Sequence, residues 1–143
     1  MDFPAVSELI PHEPPMLALD RLTAWRKGHA EGELTIRPEN PLARDGTVFT
    51  VMALEYMAQA VAACLGMESY LAGGNVRVGM VIACRRMTIH RQSMAVGETF
   101  RVRADEVRAS DAISHYDGEL RSAGGELVAT CTMTLVHGEK PPQ

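Results

Sequence analysis

The chain has 143 residues, 46% of them hydrophobic and 22% charged, with a net charge of −4. That length buries about two-thirds of the unfolded surface, so one domain spanning 1–143 is expected, and the apolar content excludes a disordered chain. The acidic balance leaves no footprint for nucleic acid, and MDFPAVSELI lacks the basic start and apolar run of a signal peptide, so the expected location is the cytoplasm.

In chain order, a short helix over Val6–Ile10 is bracketed by Pro4 and Pro11. The stretch Ile10–Leu22, IPHEPPMLALDRL, carries three prolines that forbid a long regular element. Leu22–Trp25 and Ala30–Arg37 read as two strands joined at Lys27-Gly28, the second alternating Ala30, Gly32, Leu34 and Ile36 against polar neighbours. Pro38–Gly46 is a loop by composition, and Thr47 or Thr50 is the expected cap of the long helix after it.

Val51–Ala72, VMALEYMAQAVAACLGMESYLA, predicts a helix of roughly 33 Å that is apolar on nearly every side, the pattern of a buried element. Glu55, Gln59, Glu68 and Ser69 punctuate it too often for a membrane span. Gly73-Gly74-Asn75 ends it. Four strands are expected beyond. The first alternates from Val76 to Cys84 and changes phase past Arg85-Arg86, the sign of a bulge. Then come Glu98–Arg108 with Phe100, Val102 and Ala104 inward, and Ala112–Ser122 with Tyr116 and Leu120 inward. Last is a run with Leu127, Ala129, Cys131, Met133 and Leu135 facing the core. HGEKPPQ reads as a frayed tail.

The fold class is therefore α+β, with one antiparallel sheet curled about one long central helix and a second subunit covering what the sheet leaves open. Cys64, Cys84 and Cys131 are widely spaced, form no C-x-x-C pair and read as small core residues, and the five histidines lack metal-binding spacing, so no metal is expected. No nucleotide or flavin signature is present, and no cofactor is expected.

Glu55 and Gln59 lie four apart and share a face one turn into the helix. A carboxyl among apolar neighbours is either a satisfied structural group or an acid–base group whose pKa burial raises; local chemistry leaves both open.

The motif PHEPPMLALDRL, the LEYMAQA run on the helix and the strand-opening segment AVGETFRVRADEV together resemble the hotdog-fold β-hydroxyacyl-acyl carrier protein dehydratases. The resemblance is strongest to the dehydratase-like branch of aryl polyene clusters. It implies a hotdog dimer, homomeric or heteromeric, that removes water from a β-hydroxyacyl thioester on the phosphopantetheine arm of an acyl carrier protein. Glu55 matches the family's catalytic acid, which works with a histidine donated across the dimer from a Gly-His-Phe-Pro-Gly loop. Here PENPLARDGTVFT has no histidine. His12, in Pro11-His12, is the replacement candidate; a ring bonded to backbone in a proline-rich turn is its structural alternative. His90 and His115 read as solvent-facing, and His29 and His137 flank turns.

The dehydration needs a base, an acid and donors for the thioester oxygen. His12 and Glu55 are the acid–base candidates. Gln59, Thr50, Val51 and Met52 are the substrate-contacting ones, with amides from Thr50 to Ala53 at the helix start. Met52, Met57, Met80 and Met87 are candidates for lining the acyl tunnel. Arg85, Arg86 and Arg91 form a basic cluster suited to the acidic carrier. A thioesterase in which Glu55 activates water, and a non-catalytic subunit completing an active partner, are the alternatives.

Overall fold

The period-two segments pair into one antiparallel sheet, and the greasy segment packs against it. The computed structural model describes residues 2–73, 78–110 and 113–138. Its strands are β1 (Arg21–Arg26), β2 (His29–Thr35), β3 (Thr47–Phe49), β4 (Val78–Ile89), β5 (Ser93–Ala95), β6 (Thr99–Ser110), β7 (Ile113–Ser122) and β8 (Leu127–Gly138). Six of them run in the order β1-β2-β6-β7-β8-β4, and β3 pairs with β5 beside the helix entrance. The helix α1 spans Ala53–Leu71, preceded by a 3-10 turn over Thr50–Met52.

Twelve of the nineteen residues of α1 are buried, against inward residues such as Leu34, Phe100, Val102, Tyr116, Leu120 and Met133, each at most 1% exposed. Each large apolar side chain so buried contributes about 1.5–3 kcal/mol. One stripe is less covered: Leu54, Ala58 and Ala62, spaced by one turn, stay half-buried beside Glu55. Thr50–Leu71 is long and apolar enough to cross a membrane, yet 67% of its most apolar stretch is buried inside this fold.

Several local expectations change. The N-terminal helix is a single 3-10 turn, Val6–Glu8. Neither threonine caps α1. Thr47 sits in β3 with its hydroxyl donating to the Arg44 carbonyl at 3.1 Å, and Thr50 begins the 3-10 turn with no capping bond. Gly73 takes the left-handed conformation at φ 74° after the helix, while Gly74, Asn75 and the first residues of the expected next strand lie outside the described residues, as do Ala112 and the tail beyond 138.

Bulges redirect side chains. Register shifts in β4 at Val81/Ala83 and Cys84/Arg86 place the second break where the apolar phase changes, and they turn Cys84 out to solvent rather than into the core. A shift between Leu120 and Arg121 leaves Val128 as an extra residue, fully buried, while Leu127 is only half-buried.

The N-terminal segment is bolted to the helix where Gly66 faces the backbone of Leu9. A Cβ on Gly66 would lie 1.9 Å from the Leu9 carbonyl oxygen, and backbone cannot swing aside. Alanine would gain about 1 kcal/mol of helix propensity, but the overlap costs more. Gly66→Ala is expected to lose about 3 kcal/mol net and roughly 10 °C of Tm in a thermal melt.

Candidate active site

Glu55 lies in the first turn of α1, where the helix dipole favours an anion. Its carboxyl faces an open cavity of about 360 Å³ whose walls are Met16, Leu42, Val51, Met52, Leu54 and Ala58. Among the described lining residues Glu55 alone carries a polar side chain. Val51 and Met52 are 52% and 41% exposed at its mouth. Of the other methionines proposed for a tunnel, Met57 is buried in the core against Cys131 at 3.6 Å, Met87 packs on the core from β4, and the Met80 side chain lies outside those described.

His12 reaches Glu55 from the proline-rich segment, with Nε2 3.3 Å from Oε1. Its Nδ1 is buried and meets no hydrogen-bond partner among the described residues. The ring does not line the cavity; it touches the space only through Glu55. The hydrogen bond from His12 holds the Glu55 carboxyl below its ordinary value. Burial opposes this, and the Gln59 amide and the His12 charge reinforce it. The expected upward shift is thereby reversed: desolvation is present, but donated hydrogen bonds outweigh it.

Gln59 does not offer its amide to substrate. It is fully buried, and Oε1 accepts the Ala18 and Leu19 N–H groups at 2.9 and 3.1 Å. Its Nε2 donates to the Met16 carbonyl at 2.8 Å and to Glu55 Oε1 at 3.0 Å. Thr50 is likewise withdrawn: it is fully buried, its N–H donates to the Gln92 carbonyl at 3.0 Å, and its Oγ1 meets no hydrogen-bond partner among the described residues. The Ala53 N–H serves the Thr50 and Val51 carbonyls. Two of the four amides expected to face a thioester oxygen are therefore used inside the fold.

The loop without a histidine still shapes the site. Asn40 donates Nδ2 to the Tyr56 hydroxyl at 2.8 Å and accepts the Leu42 N–H at 2.8 Å, which sets Leu42 as a cavity wall. Sequence reasoning passed over Asn40, Leu42 and Tyr56. An asparagine turning the backbone two residues on was the available signal.

The basic cluster divides. Arg85 and Arg86 are exposed on β4, and Arg86 borders a groove shared with Arg103, Asp105, Asp117 and Glu119, of mixed charge. Arg91 turns instead onto Glu98 and stacks over the Phe100 ring at 5.3 Å, so its charge is neutralised within the fold. His29, expected at a turn, is buried between Asp105 at 2.6 Å and Glu31 at 3.2 Å; His115 pairs with Thr134 at 2.9 Å, and His90 is exposed. Burial pushes the Cys64 and Cys131 thiols up to about 11 and about 12, which makes them poor nucleophiles at neutral pH.

Comparison with solved structures returns the same architecture. The dehydratase heterocomplex ApeI:P from Xenorhabdus doucetiae is similar at TM-score 0.89 and 19% identity, over 97% of this chain and 94% of that one. The E. coli PaaI protein from the phenylacetic acid degradation operon matches at TM-score 0.64 and 15% identity, covering 80% of each chain. A hypothetical thioesterase with coenzyme A from Streptococcus pneumoniae matches at 0.63 and 10%, over 85% of this chain and 88% of that one. These likenesses show the hotdog fold. No curated protein matches the sequence. The ApeP dehydratase model matches residues 4–143, and the chain belongs to the ApeP-like dehydratase family.

Proposed function

We propose that the chain dehydrates a β-hydroxyacyl thioester carried by an acyl carrier protein, with Glu55 as the group that exchanges protons with substrate. The observation carrying this reading is one carboxyl on an otherwise apolar cavity, held ionised by His12 and Gln59. Ionised Glu55 takes the proton α to the carbonyl. As the Cα–Cβ double bond forms and the Cβ–O bond breaks, the same carboxylic acid returns a proton to the departing hydroxide, which leaves as water. His12 works from behind, keeping the carboxylate available as base. The positive end of the helix favours the charge that gathers on the thioester oxygen, and Met16, Leu42 and Met52 suit an acyl chain. Arg85 and Arg86, exposed on the edge strand, are the remaining candidates for meeting an acidic carrier.

A second hotdog subunit completes the site in this proposal. The half-buried stripe Leu54, Ala58 and Ala62, the open cavity mouth and the outer edge of β4, unpaired among the described residues, favour it, and the similar ApeI:P structure is itself a heterocomplex. Light scattering of the folded chain should give a dimer alone or on mixing with a second hotdog subunit. A monomer in both conditions at micromolar concentration defeats this part.

Hydrolysis of the thioester is the competing chemistry, favoured by the same carboxylate beside the cavity and by the thioesterase-like neighbours. A β-hydroxyacyl thioester should give the α,β-unsaturated thioester with no free thiol. Release of thiol without enoyl absorbance assigns the site to hydrolysis.

Glu55→Gln keeps the shape and removes the base, so turnover should fall by a factor of roughly 100 or more while the fold persists by circular dichroism. His12→Ala should raise the Glu55 pKa and move the acid limb of the pH–rate profile upward. Because the folded-state pKa of Glu55 is depressed, its contribution to stability is present above the ordinary value of 4.5 and is lost as pH falls through the folded value. The Tm difference between the wild-type chain and Glu55→Gln is expected to shrink below that pH.

A further inference from the structure

We propose that the Arg91–Glu98 ion pair is a positioning device for the entrance of α1, a brace that aims the backbone of Val51 and Met52 at the reacting end of the substrate; the inference rests on the cavity beside Glu55 being the site of reaction. Val51 and Met52 are the two residues of the 3-10 turn that line that cavity. What fixes this turn lies outside it. Thr50 donates its N–H to the Gln92 carbonyl at 3.0 Å. The three residues before it, β3, pair with β5 as Thr47–Ala95, Val48–Met94 and Phe49–Ser93. At the far end the Gly46 carbonyl accepts the Val96 N–H at 2.9 Å. The entrance therefore hangs on the segment 92–96.

Two strands of three residues are marginal by themselves, and the segment carries its own brace. Glu98 Oε1 accepts the Ala95 N–H at 3.1 Å, while Oε2 accepts from the Arg91 guanidinium. One carboxylate thus ties the residue before Gln92 to the last residue of β5. The guanidinium also lies over the fully buried Phe100 ring, 5.3 Å from its centre, which seats the brace on the core. The two side chains are only 31% and 27% exposed, so water and salt screen the pair in part. Arg91 Nε is buried and meets no hydrogen-bond partner among the described residues. A basic residue serving only solubility would not carry that cost.

The thioester oxygen gathers negative charge as the α proton leaves, and donors help most when they are already aimed at it. A misplacement of about 1 Å costs roughly 100-fold in rate. The brace acts on aim and not on protonation: the groups that shift the Glu55 carboxyl are His12 and Gln59, together with burial, and neither Arg91 nor Glu98 is among them.

The experiment compares the wild-type chain, Glu55→Gln, Arg91→Met, Arg91→Lys and Glu98→Gln in the assembled enzyme. It reads kcat, KM and the pH–rate profile for a β-hydroxyacyl thioester, and amide hydrogen exchange at Thr50. Arg91→Met keeps an apolar stem over Phe100 and removes the charge; Glu98→Gln keeps an acceptor for the Ala95 N–H and removes the carboxylate. Both are expected to fold and to lose kcat by roughly 100-fold with KM little changed. The acid limb should stay at its wild-type position, and Thr50 should exchange faster. Arg91→Lys, which restores a cation, should recover most of the lost kcat. Wild-type kcat in either folded variant, Arg91→Met or Glu98→Gln, overturns the inference. A displaced acid limb overturns it too, since the pair then acts on the protonation of Glu55. So does Arg91→Lys as slow as Arg91→Met, or a loss of both Arg91→Met and Glu98→Gln to unfolding, since the pair then serves packing alone. Glu55→Gln at wild-type kcat brings down the underlying reading of the site instead. Inactive Glu55→Gln beside fully active Arg91→Met and Glu98→Gln brings down only the brace.

Discussion

An α-helix that is apolar on most sides must be covered on most sides, and the rest of this structure answers that need. The curled sheet supplies the largest share, through Leu34, Phe100, Tyr116, Leu120 and Met133. The N-terminal segment supplies another, with Val6, Leu9 and Ile10 buried and the Leu9 carbonyl seated where Gly66 has no side chain. Neither reaches the first turn completely. The stripe of Leu54, Ala58 and Ala62 stays half-buried, and the cavity beside Glu55 stays open. The cavity beside Glu55 is therefore a gap in the cover rather than a pit carved into the core.

A carboxyl at that gap needs partners to hold its charge. His12 and Gln59 meet it, and together they reverse the effect of burial on its protonation. This is a case where two donated hydrogen bonds outweigh partial desolvation, because the carboxyl remains a third exposed at its side chain. The same competition distinguishes the buried thiols. Cys64 meets the Tyr116 hydroxyl at 3.9 Å, a weak contact that burial outweighs, and burial also sets the direction for Cys131.

Much of the sheet was readable because alternation of residue type is a local signal. Ala30, Leu34 and Ile36, or Ala129, Cys131 and Met133, announce an inward face without reference to the rest of the chain. The three-residue strands β3 and β5 are too short to carry a period, and they were missed. Bulges shift phase by one residue, which is why Cys84 and Val128 exchanged their expected environments. Glu55 and Gln59 stood out as polar residues on a greasy helix. The partners of Gln59, the pairing of His29 with Asp105 and the pairing of Arg91 with Glu98 depend on tertiary placement, and nothing in the neighbouring residues announces them. The withdrawal of Thr50 into the interior was hidden for the same reason, since it is the Gln92 carbonyl that takes its N–H.

The bonds between Gln59 and the proline-rich segment bridge 40 to 43 positions of chain, and the His12–Glu55 contact bridges a similar span. None of these can form by local folding of either piece. Each requires the helix and the early segment, far apart in the chain, to meet, and loop closure over such distances is rewarded late. A partly folded chain, however helical, holds a solvated Glu55 with an ordinary carboxyl. The lowered carboxyl pKa thus belongs to the finished molecule alone, which ties the charge state of Glu55 to the completion of folding.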